Sequence, residues 1–207
     1  VLSDRAMGPD RIPVPAALAT AAIHHHLIRQ GLRMQTGLVI ETGEAREVHH
    51  FCVLAGYGAE AVNPYLAFEA IEDLKHRELV VEKKPGYAQK NFIKAIENGL
   101  LKVMSKIGIS TQQSYRCAQI FEAVGLNTAI VQRCFSGTAT RIEGIGVKEV
   151  ALESLMRHTM AYPDKPARRA GLDVGGAYRW RRRGEFHMWN PETVAKLQHA
   201  TSQNNAE

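Results

Sequence analysis

Three consecutive histidines, His24, His25 and His26, stand inside a stretch of helical periodicity, and a second pair, His49 and His50, follows further along. Neutral imidazole is the commonest protein metal ligand, so metal binding is the first chemistry to weigh. On a helix of about 3.6 residues per turn, consecutive side chains diverge by about 100° and cannot converge on one ion. Metal-binding helices place ligands three or four positions apart, as in HExxH or HxxEH, and neither spacing occurs. Counting along the helix with Leu18, Ala21, Ile28 and Leu32 puts His25 on the apolar stripe, His24 on its flank and His26 toward the opposite side. A site bridging the two helices, for example His25 with His50, is the metal alternative. Packed or hydrogen-bonded histidines are the preferred reading, and no metal ligand is assigned.

Cys52, Cys117 and Cys134 match neither a zinc ribbon nor an iron–sulfur run. Cys52 and Cys117 read as small core residues on helices, and no low-pKa setting for a nucleophilic cysteine is visible. The serine signature GxSxG is absent. "EGIGVKEVALE" places glycines before a helix, where free amides can hold phosphate, but it lacks the preceding apolar strand of a dinucleotide fingerprint and reads as a turn. Arg179 and the run Arg181, Arg182, Arg183 around Trp180 could stack on bases or join two protein surfaces, and a domain contact is preferred.

The elements that must carry these residues alternate at first between strand and helix. "VL" ends in the polar Ser3, Asp4 and Arg5; a helix spans about Val14 to Gln30, closed by Gly31; "GLVIETG" is a short apolar run suited to a strand covered on both faces. Helix "EVHHFCVLAGYG", strand "AEAV" and a helix opened by Asn63 and Pro64 through about Lys75 follow. Such alternation implies a parallel sheet, with ligands at the carboxyl ends of strands. Ser3, Asp4, Glu41, Thr42 and Asn63 are therefore the positions where chemistry could sit, although capping of loops and helix starts is the favoured role.

The fold expected is α/β: a partial parallel β/α domain over 1–76, a linker at 77–91 broken by Pro85 and Gly86, and a mainly helical connector region. Within the helical region, 92–162, Phe92, Ile96, Leu100, Val103 and Ile107 form one stripe. Ser110 and Gln113 have capping-box spacing for a helix through Val124, and another helix covers about Val147 to His158 after the loop "GTATRIEGIG". An extended or hairpin connector, 163–190, leads to a last helix, 191–207, opened by Asn190 and Pro191.

Of the 207 residues, 45% are hydrophobic and 23% charged, the balance of an ordinary globular chain. The apolar runs are too short to cross a bilayer, so no membrane partner is expected. The net charge of +5 is spread out except at the arginine run, which disfavours nucleic acid as a partner. No signal-peptide pattern opens the chain and the cysteines suit a reducing compartment, so a cytoplasmic location is expected. The chain opens on Val1, as if cut inside a strand.

"HHHLIRQGLR", "GLVIETGEAREVHHFCVLAGYGAEAVNPYLAFE", "GLLKVMSKIGISTQQSYRCAQIFEAVGL", "TATRIEGIG" and "RRRGEFHMWNPETVAKLQHA" occur in this order. Together they resemble the glutamate synthase large chain family, most of all its bacterial, pyridine-nucleotide-linked form. The resemblance implies a long enzyme with an N-terminal glutaminase domain, a central α/β domain, an FMN-binding barrel and a C-terminal β-helix. Ammonia from glutamine travels through a tunnel to 2-oxoglutarate at the flavin, where iminoglutarate is reduced to L-glutamate. It further implies FMN and a 3Fe-4S cluster in the parent, and a small electron-donating subunit as its partner. By position this chain would be a fragment, the end of the central domain and the connector into the FMN barrel. The glutaminase cysteine, FMN loop and cluster cysteines have no counterpart here, so no catalytic, cofactor-binding or metal residue and no cofactor is expected in the segment, which by itself would be inactive. Its expected role is interdomain, with Lys102, Lys106 and Arg116 as polar contacts. The alternative is a self-contained basic module binding nucleic acid or a protein partner.

Overall fold

A computed structural model describes residues 1–81, 84–163 and 174–204. The chain divides into two compact units, Val1–Tyr162 and Pro163–Glu207.

The first unit begins with a parallel sheet of order β1-β2-β3, with β1 at Leu2–Ser3, β2 at Val39–Glu41 and β3 at Ala61–Asn63. Helix α1, Ala16–Arg29, joins β1 to β2, and α2, Val48–Gly56, joins β2 to β3. The register aligns Leu2 with Ile40 and Ile40 with Val62, and one residue on aligns Ser3 with Glu41 and Glu41 with Asn63. Because side chains alternate faces along a strand, the first row is apolar and the second polar. Ile40 packs into a buried cluster with Ala16, Ala45, Leu54 and Ala59. Val39, expected to be covered, is partly exposed.

Beyond His49 and His50, helix α2 is apolar on every side, and its apolar residues meet three different neighbours. Leu54 faces the sheet; Val53 and Tyr57, just past its end, join α1 and Ile130, Val131 and Phe135; Cys52 and Ala55 pack on Met104 and Tyr115. Helix α3, Tyr65–His76, follows β3, and the long α4, Tyr87–Lys106, lies against α2. Their approach is close at Gly99, where a Cβ would run into the Val48 side chain. The expected apolar stripe of α4 holds for Phe92, Ile96, Leu100 and Val103, whereas Ile107 is 42% exposed. The expected linker contains residues 82–83, outside those described, and its last part from Tyr87 already belongs to α4.

The helix expected over 110–124 is not there. A single turn, α5 at Gln112–Tyr115, is capped by Thr111 rather than Ser110. Arg116 then turns extended, Cys117 and Gln119 take positive φ of 54° and 55°, and the Cys117 amide donates to Gly56 O at 2.8 Å. The chain continues as β4, Glu122–Leu126, paired in parallel with β5, Ala139–Ile145, which replaces the expected loop. Between them lies α6, Thr128–Cys134, with Asn127 Oδ1 accepting from the Ile130 amide at 3.0 Å. The register shifts at Val124 and again before Leu126, and Gly125 there has φ of +76°. A Cβ on Gly144 of β5 would strike the Gly125 carbonyl. Glycine inside a strand is the usual mark of such a bulge or close approach.

Helix α7, Val147–Ala161, runs slightly past its expected end. In the second unit, α8 spans Pro191–Gln203, and Asn190 caps it as expected by accepting from the Glu192 and Thr193 amides at 2.9 and 3.0 Å. The expected connector over 163–190 falls partly on residues 164–173, outside those described. Its described part, 174–190, contains no strand and runs as bends, turns and irregular backbone.

Candidate functional site

Two polar clusters in the first unit carry the residues that could do chemistry. The first lies at the carboxyl end of the three-stranded sheet. Asp4 accepts from the Thr42 hydroxyl at 2.6 Å and from the Gly43 amide at 3.0 Å. Glu41 accepts from the Ser3 hydroxyl at 2.6 Å and the Asn63 amide at 3.1 Å, and pairs with Arg5 at 3.1 Å. The polar row of the sheet register thus becomes a hydrogen-bonded row of side chains. Asn63 belongs to β3, and α3 starts at Tyr65, one residue later than expected, so Pro64 occupies the cap position without a side-chain bond. Arg5 also lies over the Tyr65 ring, 4.4 Å from its centroid. The buried Tyr65 hydroxyl sits beside Asp4, off the line of a good hydrogen bond, and burial with the neighbouring Asp4 charge pushes its pKa up to about 12. Carboxylates engaged by donors from neighbouring segments fasten the end of the sheet together.

The second cluster gathers around His24. This residue is 5% exposed, more buried than its expected flank position, while His25 is also buried and His26 lies at the surface. His25 Nδ1 donates to Ala21 O at 2.8 Å within α1. Arg33, in the turn after α1, donates from Nε to His24 Nδ1 at 2.9 Å. That bond leaves the imidazole proton on Nε2, which faces Cys117 Sγ at 2.9 Å. Burial lowers the His24 pKa to about 4, assisted by His25 and then by the Arg33 and Arg116 guanidiniums. Arg33 also donates to Thr36 O at 2.5 Å and Gly58 O at 3.0 Å, and both Arg33 and Arg116 meet Glu60 Oε1, at 3.1 and 3.0 Å. Gly58, with φ of +108°, allows the His24 ring its place, since a Cβ there would overlap it.

Cys117 was expected on a helix in the core; it lies instead in the positive-φ segment after α5 and is exposed, because Arg116 leaves the helical conformation and the amide of Cys117 bonds back to Gly56. Burial of its surroundings pushes the thiol pKa up, against the pull of Arg33 and Arg116, so the imidazole beside it does not make an activated thiolate. Cys52 is buried on α2 as expected, and Cys134 is buried on α6.

His50 turns to its own helix start, with Nδ1 accepting from the Arg46 amide at 3.1 Å and Nε2 facing Glu47 at 3.3 Å. Among the described residues no three histidine, cysteine or acidic side chains converge as metal ligands. The chain does not fit an iron–sulfur cluster either, since Cys52 and Cys134 lie in separate apolar clusters and Cys117 faces His24. Nor do the glycines before α7 fit a phosphate: the Gly146 amide donates to Glu149 Oε2 at 2.9 Å, and that carboxylate would repel an anion.

Lys102 and Lys106 stand exposed on α4, whereas Arg116 is engaged with Glu60. The arrangement sequence reading missed is the union of α1, the Arg33 turn, the α2–β3 loop and the Cys117 segment. Gly58 was its visible signal, a glycine between two elements with no turn partner.

Comparison with known proteins places these features in context. Residues 1–127 match the family described as glutamate synthase central domain. The chain is 45% identical over 205 residues to the glutamate synthase [NADPH] large chain of Bacillus subtilis, covering 99% of this chain and 13% of that protein. It is 45% identical over 210 residues to the glutamate synthase [NADH] of Schizosaccharomyces pombe, covering 99% and 10%. Against the chloroplastic ferredoxin-dependent glutamate synthase of Spinacia oleracea it is 40% identical over 218 residues, covering 100% and 13%. The chain therefore spans only a small part of the length of each relative.

Proposed function

The chain belongs to the glutamate synthase family, as part of its central domain and the stretch that follows, and from that premise we propose that it serves a longer glutamate synthase as an interdomain support. The whole enzyme makes L-glutamate from glutamine and 2-oxoglutarate, with reducing equivalents passing through FMN and an iron–sulfur cluster delivered by a small electron-donating subunit. On this reading it works in the cytoplasm in ammonia assimilation; no described helix of the segment is long and apolar enough to cross a membrane. The observation that carries the reading is the near-complete coverage of this chain set against 13% of the Bacillus subtilis relative.

The segment's own work is mechanical. The carboxylates of its two polar clusters are engaged by donors of the same unit, while α4 exposes Ile93 and Leu101, with Ile107 just past its end, and α7 exposes Leu152, Leu155, Met156 and Met160. Those apolar faces, with Lys102, Lys106 and Arg116 as polar contacts, hold the central domain against the flavin barrel so that the ammonia tunnel stays aligned. Expression of the 207-residue chain alone tests this. The expected product self-associates and forms no glutamate from glutamine and 2-oxoglutarate; a cooperative monomer with bound flavin and turnover would refute the proposal.

A further inference from the structure

Between Tyr178 and Trp189 the second unit carries four arginines, two tryptophans, a tyrosine, a phenylalanine and a methionine, with no lysine and one acid, Glu185. The loop is closed at its base. The Glu185 amide donates to Gly175 O at 2.8 Å and His187 Nε2 to Gly176 O at 2.5 Å. Positive φ at Gly175 and Gly176 and the missing Cβ of Gly184 let these strands of backbone meet. A shaped loop therefore presents Tyr178, 85% exposed, and Phe186, 83% exposed, to its surroundings. None of the four guanidiniums forms an ion pair among the described residues.

Large aromatic surface and weakly hydrated guanidinium, with lysine excluded, is the composition found in the buried centre of protein interfaces. Arginine also binds carboxylates through two parallel bonds, which lysine cannot do. A nucleic-acid track would spread its cations along the unit, because each phosphate needs one. Among the described residues of the unit, the one lysine, Lys196, is paired with Glu192 at 2.9 Å, which leaves the arginines of the loop as its described cations without an ion pair.

We propose that the loop Tyr178–Trp189 docks on a carboxylate-rich protein surface carried by the remainder of the longer polypeptide. The inference rests on the interdomain reading above and names the chemistry of one contact. Charge complementarity selects the acidic surface, and the large share of each relative that lies outside the match supplies it within the same molecule.

The test places p-benzoylphenylalanine at position 186 of the full-length protein and maps the photocrosslinks. The expected product joins residue 186 to a peptide of the same polypeptide, outside residues 1–207, that carries an excess of Asp and Glu. Arg181→Glu with Arg182→Glu lowers that yield at least about tenfold through like-charge repulsion, and Arg181→Lys with Arg182→Lys, which keeps the charge and the fold, lowers it less. A crosslink within the polypeptide to a peptide without excess carboxylates, or to nucleic acid, overturns the inference and leaves the interdomain reading standing; so does a yield indifferent to both double variants. A crosslink to a separate protein, a small partner subunit included, also overturns the inference, whereas the interdomain reading stands or falls with the faces of α4 and α7.

Discussion

His24 is held neutral from two sides, by burial and by the guanidiniums that face it. An unfolded chain takes up a proton at this residue near pH 6.5, whereas the folded one resists until about pH 4. The unfolded state therefore binds more protons between those values, and the stability that the neutral ring supplies is complete above the upper value and lost as pH falls toward the lower. Hydrogen exchange of α1 and the Cys117 segment in the full-length protein, corrected for intrinsic rates, should accelerate across that window. His24→Gln, which keeps a donor and an acceptor, should flatten the dependence; an unchanged pH response would remove His24 as its source. Glu60 is the second test at this scale. Glu60→Ala leaves Arg33 and Arg116 facing each other and should cost about 1–2 kcal/mol, between the worth of exposed and buried pairs. The same peptides would report it as faster exchange, and no change would mean the pair is decorative. Helix geometry placed His26 outward, where the structure has it. It could not show Cys117 meeting His24, because that contact joins residues far apart in sequence through a backbone in the left-handed region.

At the scale of elements, the segment around β4 shows where local pattern loses to pairing. "EAVGL" is rich in good helix formers, and Gly125 reads equally well as a helix stop or a strand bulge. The deciding partner, β5, lies beyond α6, and strand preference depends on such context. Caps with their own side-chain acceptor were legible, as at Asn190; the expected cap at Asn63 fails because pairing keeps that residue in β3 and α3 begins at Tyr65. Val124 and Ile142 are register partners on this small sheet, 68% and 59% exposed, so its outward face is apolar. The α2–α4 contact offers a sharper test. Alanine is worth about 1 kcal/mol more than glycine inside a helix, yet Gly99→Ala puts a methyl into Val48. Overpacking should outweigh propensity and destabilise the protein by about 1–3 kcal/mol. Denaturant titration of the full-length variant checks the sign; stabilisation would mean that α2 and α4 separate freely.

For the whole molecule, the family and the α/β character were legible because motif order and strand–helix alternation are properties of the sequence itself. The small β4–β5 sheet and the polar union around Arg33 depend on long-range contacts and were not. The apolar faces of α4 and α7 make sense as surfaces awaiting neighbours, since large exposed apolar patches mark interaction sites. If this segment supports the alignment of two distant active sites, damage to its outward face should uncouple them without stopping the first. Ile107 is suited to the purpose, being exposed at the end of α4 and absent from the buried clusters. The decisive measurement is the ratio of glutamate formed at the flavin to glutamine hydrolysed in full-length Ile107→Asp. A ratio well below that of the unmodified enzyme, with flavin content and glutamine hydrolysis retained, is the expected result. An unchanged ratio at unchanged stability would contradict the interdomain role.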